Sequence, residues 1–393
     1  MLKVLSYLLP ALALVSCGNI RMNEFTLQSE RDRFSADKIK FIDSVFTQVP
    51  DSTDEKVFTG AFWASELMLR TTPGGRDAVR NGLYNFSMFS NSFRRSLLQN
   101  AYTLYHTEFV DIIDSLIMTE KDEKLFAMMA EYIIRADSIR KDGVLVMMRN
   151  RFPGWASHPV LKGMVLSHSG YAPVTDAQIN ELISYRQHAG EASVYVIVHK
   201  NRDLPGYAFI QDDNGLILME GDDTLMIRVI ARSVTNLPGY LTNGNTPPGV
   251  FSMQSIAISD NIFIGPTPTL VTYLPFETDV VTFSFGGQEQ GTWTEERYRS
   301  FFPPGWISIE QKNMAYYAGE AGRSEIIMHG TTIDEEFYSG QPYYPFTPSL
   351  GCICSLEIWD RKKGVPKESD QLKMIMALKR HRIDKALVYL IEK

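Results

Sequence analysis

Two short segments in the last quarter of the chain contain residue types that can support a cysteine nucleophile. An apolar run ends at His329-Gly330-Thr331, and Ser349-Leu350-Gly351-Cys352-Ile353 opens the next apolar run. Because the thiolate attacks and the thiol does not, an imidazole must take the proton from the sulfur or hold the thiolate as an ion pair. The residues alone therefore indicate Cys352 as a candidate nucleophile and His329 as its base. The alternative is a buried cysteine and a histidine with a structural role.

The residue before the cysteine suits the same chemistry. Gly351 has no side chain, so the backbone can turn tightly and a substrate can approach it closely. Backbone amides around such a turn can hold the oxyanion of a tetrahedral intermediate. The turn before Cys352 is therefore a candidate site for acyl-transfer chemistry.

These segments resemble the catalytic domain of the L,D-transpeptidases (the YkuD-like family). The family signature is a His-Gly-Thr or similar segment, a variable loop and then Ser-x-Gly-Cys, as in His329 to Thr331 and Ser349 to Cys352. Upstream, Thr246-Pro247-Pro248-Gly249-Val250-Phe251 looks like the Thr-Pro-x-Gly-x-Phe segment of the family. The three segments occur in the family's order, and the resemblance covers roughly residues 192 to 393.

The resemblance implies a set of catalytic roles. Cys352 corresponds to the acylated nucleophile and His329 to its base. The backbone carbonyl of Gly330 corresponds to the group that orients the imidazole and fixes its tautomer. The amides of Gly351 and Cys352 correspond to the oxyanion donors. No metal ion and no organic cofactor is implied.

Four residues are candidate substrate contacts. Ser349 corresponds to the motif serine near the substrate, with the role of a turn residue as an equal alternative. Thr331 follows the catalytic histidine directly, and Tyr343 and Tyr344 lie in the variable loop. We therefore expect these side chains to line the substrate groove.

The variable loop is long in this chain. Cys352 follows His329 by 23 residues, several more than the family usually has. The added length, Asp334 to Thr347, is rich in aromatic residues. It is predicted to be a lid that grips substrate and excludes water, or else a packed surface loop.

Two positions depart from the family pattern. Leu350 stands where many members have a polar or basic residue, and Cys354 stands where arginine or asparagine is usual. In the family, that arginine is thought to hold the site and a carboxylate of the substrate. Arg323 and Lys362 are the candidates to replace it in this chain.

The function implied is peptidoglycan L,D-transpeptidation. Cys352 would attack the bond between the third residue of a tetrapeptide stem and its terminal D-alanine, and a neighbouring stem amine would take the thioester. One alternative is an L,D-carboxypeptidase, in which water takes the thioester. Another is a degenerate envelope lipoprotein that binds peptidoglycan without catalysis, an alternative that the departures at Leu350 and Cys354 motivate. A third assigns the main role to the helical half, as a docking module.

The N-terminus predicts export and a lipid anchor. Lys3 precedes an apolar run from Val4 to Val15, which is too short to span a bilayer and fits the apolar part of a signal peptide. The run ends at Leu14-Val15-Ser16-Cys17, which resembles the bacterial lipobox with Cys17 as the lipidated residue. An ordinary signal peptide with a coincidental cysteine is the alternative. We expect a lipid-anchored protein of the cell envelope that faces the periplasm, at the outer membrane.

The cysteine count and the net charge limit how the chain is stabilised and which partners it binds. The chain has three cysteines, Cys17, Cys352 and Cys354, so a disulfide framework does not stabilise it. The net charge of −7 argues against nucleic acid as a main partner, because binding to phosphates usually needs a basic face. The expected partners are peptidoglycan stem peptides and, through the anchor, a membrane.

The elements that must position these residues predict an α+β protein. We divide the chain into a signal peptide and lipobox (1–17), a tether (18–35), a helical domain (36–190) and a catalytic domain (191–393). The helical domain shows apolar residues at three- and four-residue steps, most clearly from Ala101 to Ala136, with Thr119 as a helix cap. A further helix is predicted from Thr175 to Gln187, after a boundary at Phe152-Pro153-Gly154.

The catalytic domain is predicted to be a mostly antiparallel β barrel or sandwich of the L,D-transpeptidase type. Short runs rich in Val, Ile and Tyr recur between turn residues, followed by one helix from Glu368 to His381. The predicted strands are Ala192 to His199, Tyr207 to Gln211, Leu216 to Met219, Thr224 to Val234, Gly249 to Ser259, Thr269 to Phe276, Val280 to Phe285, Glu325 to His329, Gly351 to Trp359 and Ala386 to Ile391.

Overall fold

The computed structural model describes residues 24–185 and 191–393, and the protein is α+β as predicted. Helices fill the N-terminal region up to Ser184, and the strands begin at Ala192. The predicted signal peptide, the lipobox at Cys17 and the first part of the tether lie outside the described residues, as does the predicted end of the helix at Gln187.

The α-helices of the described residues are α1 (Gln28–Val45), α2 (Glu55–Leu67), α3 (Pro73–Tyr84), α4 (Asn91–Leu104), α5 (Val110–Ile117), α6 (Glu123–Ala136), α7 (Lys141–Arg151), α8 (Pro159–His168), α9 (Asp176–Ser184), α10 (Val280–Phe283), α11 (Glu295–Arg299), α12 (Met314–Glu320) and α13 (Asp370–Arg380).

The strands of the described residues are β1 (Ala192–Val198), β2 (Gly206–Gln211), β3 (Met219–Glu220), β4 (Asp223–Thr224), β5 (Ile227–Ile230), β6 (Gly249–Ala257), β7 (Thr269–Tyr273), β8 (Met328–His329), β9 (Ile353–Ser355), β10 (Glu357–Asp360), β11 (Val365–Ser369) and β12 (Ala386–Glu392).

Eight strands close into a barrel in the order β1-β12-β6-β7-β8-β9-β5-β2. The pairs β1–β12 and β8–β9 are parallel and the other barrel pairs are antiparallel, so the prediction of a mostly antiparallel barrel is confirmed. Hairpins β3–β4 and β10–β11 lie outside the barrel. The parallel pair β8–β9 places Met328 opposite Ile353 and His329 opposite Cys354.

The helices pack on the outside of the barrel and share a core with it. On β1, Val194 and Val196 point into the barrel interior, whereas Tyr195 and Ile197 belong to the core that also contains the helices. Alternate residues of a strand face opposite sides, so β1 is buried on both faces. The barrel and the helical half therefore fold against each other over a continuous apolar surface.

Helix starts follow local capping chemistry. The Asp122 side chain accepts hydrogen bonds from the amides of Lys124 and Leu125 and caps α6. The prediction of Thr119 as the cap is therefore wrong, since the carboxylate of Asp122 sits closer to the free amides of the first turn. Thr175 and Gln178 form a reciprocal capping box at the start of α9, which confirms the predicted start of that helix.

Two further sequence predictions are corrected by the fold. The expected tether (18–35) is wrong from Gln28 onward, because those residues open α1 and Arg31 is buried in ion pairs with Asp334 and Glu335. The expected strand from Val280 to Phe285 is instead the short helix α10, where the side chain of Asp279 caps the first turn.

Within the described residues, no helix has both the length and the apolar character that crossing a bilayer requires.

Candidate active site

A cavity of about 500 Å³ separates the barrel edge from helix α2. Cys352 and His329 line it from the barrel, and Trp63, Glu66 and Leu67 line it from α2. The two sequence segments that predicted the chemistry therefore reach a common cavity. One wall of this cavity belongs to the helical half, which the motif does not include.

Cys352 sits at the end of a tight turn held by Ser349. The Ser349 hydroxyl oxygen accepts hydrogen bonds from the amides of Gly351 (3.0 Å) and Cys352 (2.8 Å). Gly351 has a φ of +120°, and a Cβ there would lie 2.1 Å from the guanidinium of Arg323. The turn therefore requires glycine, for both its backbone angle and its contact with the arginine.

The Ser349 contacts alter the interpretation of two predicted roles. Both predicted oxyanion donors, the amides of Gly351 and Cys352, already donate to the Ser349 hydroxyl. In this arrangement they are not directed at the cavity, so the predicted oxyanion site is not formed. Ser349 also donates to the carbonyl of Cys352, at 3.2 Å. Its observed contacts are those of a turn residue, the alternative that the sequence left open, although it also reaches the cavity wall.

His329 is buried at the end of β8 and is neutral near physiological pH. Its Nδ1 lies within hydrogen-bond distance of the Gly330 carbonyl, the contact that the resemblance implied. Since a carbonyl only accepts, Nδ1 carries the ring proton and Nε2 is left with its lone pair. Burial lowers the pKa of His329 to about 4, although the Gly330 carbonyl opposes the shift. The imidazole is therefore a proton acceptor.

The sulfur within hydrogen-bond distance of His329 belongs to Cys354 and not to Cys352. The Nε2 atom lies 3.7 Å from Cys354 Sγ, and His329 and Cys354 are opposite each other in the parallel pair β8–β9. His329 makes no hydrogen bond with Cys352, whose Sγ instead lies 3.5 Å from the carbonyl oxygen of Glu325. The predicted hydrogen bond between Cys352 and His329 is therefore absent from this arrangement, because the register of β8 and β9 places His329 beside Cys354.

The two thiols differ in access to the cavity. Cys354 is buried with apolar side chains, whereas Cys352 is partly exposed and lines the cavity. Burial raises the pKa of Cys352 above its usual value, and contacts with the Ile327 backbone and the charge of Arg323 oppose that rise only in part. Burial raises the pKa of Cys354 much further. Only Cys352 combines substrate access with a cation nearby.

Arg323 supports the turn from behind. Its guanidinium is buried and donates to the carbonyls of Gly244 (2.5 Å), Asn245 (2.7 Å) and Gly351 (3.4 Å), and also to that of Gly239.

Of the two candidates for the missing arginine, Arg323 is the one beside Cys352. The other, Lys362, is exposed in the β10–β11 turn. Arg323 fixes the turn but does not line the cavity, so it does not provide a substrate carboxylate with a partner there.

The other predicted substrate contacts lie away from the cavity. Tyr343 is fully buried beneath Arg232, and Tyr344 is exposed and donates to Glu336. Thr331 is buried, and its hydroxyl accepts a hydrogen bond from Thr347. None of the three lines the cavity, so these predictions are corrected by the packing.

The aromatic loop packs as a structural element rather than covering the cavity. Its Tyr338 is buried and donates to the backbone carbonyl of Leu67, 2.9 Å away, at the end of α2. Tyr338, Tyr343 and Phe346 belong to one apolar cluster together with Leu67 and Cys354. The loop therefore joins the barrel edge to the helical wall, which agrees with the packed alternative and not with a lid.

A buried carboxyl holds the backbone just beyond His329. Glu357 accepts hydrogen bonds from the amide of Thr331 (2.8 Å) and the hydroxyl of Thr267 (2.7 Å). Burial raises the pKa of Glu357 to about 7 against those hydrogen bonds. A Cβ on Gly330 would lie 2.0 Å from this carboxyl, so glycine is required between the histidine and the threonine. Glu357 thereby positions the carbonyl that orients His329.

The sequence analysis missed the acidic character of the cavity. Its charged lining side chains are Glu66, Glu277 and Glu325, and no lysine or arginine lines it. Burial raises the pKa of Glu66 to about 7 and raises the pKa of Glu277. These glutamates belong to no motif and come from distant parts of the chain, so only the fold brings them together. The cavity favours a ligand that carries an ammonium or amine group.

The described residues offer no group of three or more His, Cys, Asp or Glu side chains arranged to hold a metal ion. The chain matches no protein-family model, no curated protein and no solved structure at a significant level.

Proposed function

We propose that the protein is a cysteine-dependent acyltransferase of the L,D-transpeptidase type. The observation that carries the proposal is that a partly exposed Cys352 and a neutral His329 line one peptide-sized cavity. A cavity of about 500 Å³ lies within the range of small-molecule and peptide sites. The resemblance of the surrounding segments to the transpeptidase signature supplies the substrate class, a peptidoglycan stem peptide.

The proposed first step is formation of a thioester. The Cys352 side chain rotates from the Glu325 carbonyl toward His329, and its thiol proton passes to Nε2 as the sulfur attacks the carbonyl carbon of the third stem residue. The bond to D-alanine then breaks, and its nitrogen takes the proton from His329. A neutral imidazole suits this role because the raised pKa of Cys352 leaves a thiol, not a thiolate, before attack.

The proposed second step transfers the acyl group to an amine of a neighbouring stem. The amine attacks the thioester carbon, the sulfur leaves, and the proton lost by the amine returns to Cys352 through His329. The three glutamates on the cavity wall attract an acceptor ammonium group, and a glutamate carboxylate can take the proton that this group must lose before the amine attacks. This favours transpeptidation over hydrolysis by water. A carboxypeptidase would share the first step and differ only in this one.

The proposal is tested by covalent capture. The purified full chain in detergent is incubated with a tetrapeptide donor or a carbapenem, and intact-mass spectrometry follows the adduct. We expect one adduct at Cys352, none in Cys352→Ala, and a loss of at least ~10²-fold in rate in His329→Ala. Cys354→Ala serves as the matched control and should still form the adduct. An unchanged rate in Cys352→Ala or His329→Ala would remove the assigned roles.

A second candidate function is non-catalytic peptide binding in the same cavity. It is favoured by the His329 contact with Cys354, by the engagement of the Gly351 and Cys352 amides and by the raised pKa of Cys352. This candidate predicts binding of the tetrapeptide with equal affinity by the parent chain and by Cys352→Ala, and no adduct in either. Formation of the thioester would exclude it.

The proposed location is the periplasmic side of a membrane, through a lipid on Cys17. Metabolic labelling with a clickable fatty acid should mark the full chain, and Cys17→Ala should lose the label and leave the membrane fraction. Labelling that persists in Cys17→Ala would contradict the lipobox prediction.

A further inference from the structure

A second cavity of about 300 Å³ adjoins the candidate active site. The two cavities share Trp63 and Glu66 of α2 as lining residues. Helix α4, the start of α6 and the loop at Thr242 and Asn243 complete the second cavity. The two cavities are therefore separated by the Trp63 and Glu66 side chains, and a ligand long enough to reach from Cys352 past these side chains would contact both.

The charge of the second cavity is opposite in sign to that of the first. Its lining includes Arg95 and Lys124, whereas the first cavity is lined by carboxyl groups alone among charged side chains. Within the described part of the chain, neither Arg95 nor Lys124 forms an ion pair with a carboxylate. Burial and the charge of Arg95 lower the pKa of Lys124, although Asp122 opposes the shift. Two cations that line one cavity and have no carboxylate in direct contact form a site for an anion.

The shared residue Glu66 does not neutralise this pair. Its carboxyl is buried and accepts hydrogen bonds from the amides of Gln99 (2.6 Å) and Asn100 (3.1 Å). Gln99 in turn accepts a hydrogen bond from Asn243, at 2.9 Å, and Lys124 donates to Thr242. The polar side chains around the two cations are therefore fixed by one another, while the cations keep donor capacity for a ligand.

We propose that Arg95 and Lys124 form a carboxylate-binding subsite for the peptide whose scissile bond lies at Cys352. The inference rests on the proposed function and specifies how the substrate is held. It accounts for Cys354 at the position where the related family has an arginine, because the cations for a substrate carboxylate come from the helical half. A peptide with an amine in the first cavity and a carboxylate in the second would match the charges of both.

The subsite is tested by binding in the absence of turnover. Isothermal titration measures the tetrapeptide with Cys352→Ala protein and with the same protein carrying Arg95→Gln and Lys124→Gln. We expect the two substitutions to weaken binding at least ~10-fold, since each removes a charge-assisted hydrogen bond. Amidation of the peptide carboxylate that enters the subsite should weaken binding to the Cys352→Ala protein by the same factor. It should leave binding to the protein that also carries Arg95→Gln and Lys124→Gln unchanged. Lys56→Gln with Lys121→Gln, two exposed lysines outside the cavity, is the matched control.

A footprinting measurement makes the test independent of the proposed function. An amine-selective acetylating reagent is applied to the full chain with and without glutarate, and mass spectrometry follows Lys124 and Lys121. Glutarate should protect Lys124 and leave Lys121 unprotected, and glutaramide, which lacks the negative charge, should protect neither.

The outcomes separate the two proposals. Protection of Lys124 by glutarate without tetrapeptide binding would overturn the proposed substrate and leave the anion site standing. No protection, together with tetrapeptide binding and acylation of Cys352 that are unaffected in Arg95→Gln/Lys124→Gln, would overturn the subsite and leave the proposed function standing.

Discussion

The two walls of the candidate active-site cavity each contain or rest on one buried ionisable side chain, and these side chains are held in different charge states. The barrel wall (the turn from Ser349 to Cys352) is supported by Arg323, and the helical wall (α2) contains Glu66. Burial lowers the pKa of Arg323 to about 10, so the guanidinium keeps its charge at neutral pH. Burial raises the pKa of Glu66 to about 7, so both the protonated and the ionised carboxyl are present at neutral pH.

The difference follows from the partners that each group has. Arg323 donates to four backbone carbonyls, whose oxygen dipoles stabilise the cation. Glu66 accepts from two neutral amides, Gln99 and Asn100, and no cation is among the groups that stabilise its charge. The side of the cavity that contains Cys352 therefore has a fixed charge behind it. The opposite side has a charge that pH or a bound ligand can change.

The largest effect is expected from removing the fixed charge. Arg323→Met would leave the carbonyls of Gly239, Gly244, Asn245 and Gly351 without their donor in a buried position. We expect the free energy of unfolding to fall by about 4 kcal/mol, since several buried acceptors lose their partner at once. Denaturant unfolding followed by tryptophan fluorescence measures it. Arg299→Met, at an exposed ion pair, is the control and should cost less than about 1 kcal/mol. Equal losses in both variants would show that Arg323 does not support the wall.

A smaller, pH-dependent effect is expected from Glu66→Gln. The pKa of Glu66 is about 7 in the folded protein against 4.5 for the ordinary group. The folded state therefore keeps its proton where the unfolded chain has lost it, and stability falls as pH rises from about 4.5 to 7. The variant removes this penalty, so its stability relative to the parent should increase across that window by about 2 to 3 kcal/mol.

The control for Glu66 is an exposed carboxyl treated in the same way. Glu310→Gln should change stability by less than about 0.5 kcal/mol at any pH in the window. Unfolding curves at pH 5 and pH 8 suffice for both variants. A pH-independent difference between Glu66→Gln and the parent would mean that the carboxyl is not held protonated by burial.

The sequence predicted most of the residues of the barrel wall, but it did not predict that α2 would form the opposite wall. The segments ending at His329 and beginning at Ser349 predicted the end of one strand and the start of another on a common groove, and the fold brings both segments to one cavity. The register of a parallel strand pair is set by tertiary packing, however, and spacing along the chain did not reveal that His329 faces Cys354. Glu66 lies on α2, whose apolar pattern predicts only that the helix is buried. No local motif around Glu66 indicated that it would line a cavity.

The same distinction explains the errors in the fold. Continuous runs rich in Val, Ile and Tyr predicted the long strands such as β1 and β12, which are buried along almost their whole length. Apolar residues at three- and four-residue steps predicted the helices, because each helix packs one face against the core. Val280 to Phe283, in which Thr282 is the polar residue, is too short for its pattern to separate a strand from a turn of helix. Tyr343 and Tyr344 are adjacent, yet one is buried and the other exposed, which composition alone does not determine.

A third prediction concerns the charges that act on Cys352. Arg323 lowers and Glu325 raises the pKa of Cys352, against a larger rise from burial. Removing each charge should therefore shift the pH midpoint of iodoacetamide labelling in opposite directions, upward in Arg323→Met and downward in Glu325→Gln. Peptide mass spectrometry distinguishes Cys352 from Cys354. Shifts in the same direction would show that the charges act through altered folding rather than through the thiol.

The smallest effects are expected in the loop that joins the two walls, where each substitution removes one tyrosine hydroxyl group. Tyr338 donates to the carbonyl of Leu67, whereas the buried hydroxyl of Tyr343 has no hydrogen-bond partner. Tyr338→Phe should therefore cost about 1 kcal/mol of unfolding free energy. Tyr343→Phe should be neutral or slightly stabilising, because it removes an unsatisfied polar atom and keeps the ring beneath Arg232. In the proposed reaction, the Cys352 adduct should form at the parent rate in both variants, since neither tyrosine lines the cavity. A slower rate in Tyr343→Phe with unchanged stability would instead return this loop to the role of a lid over the substrate.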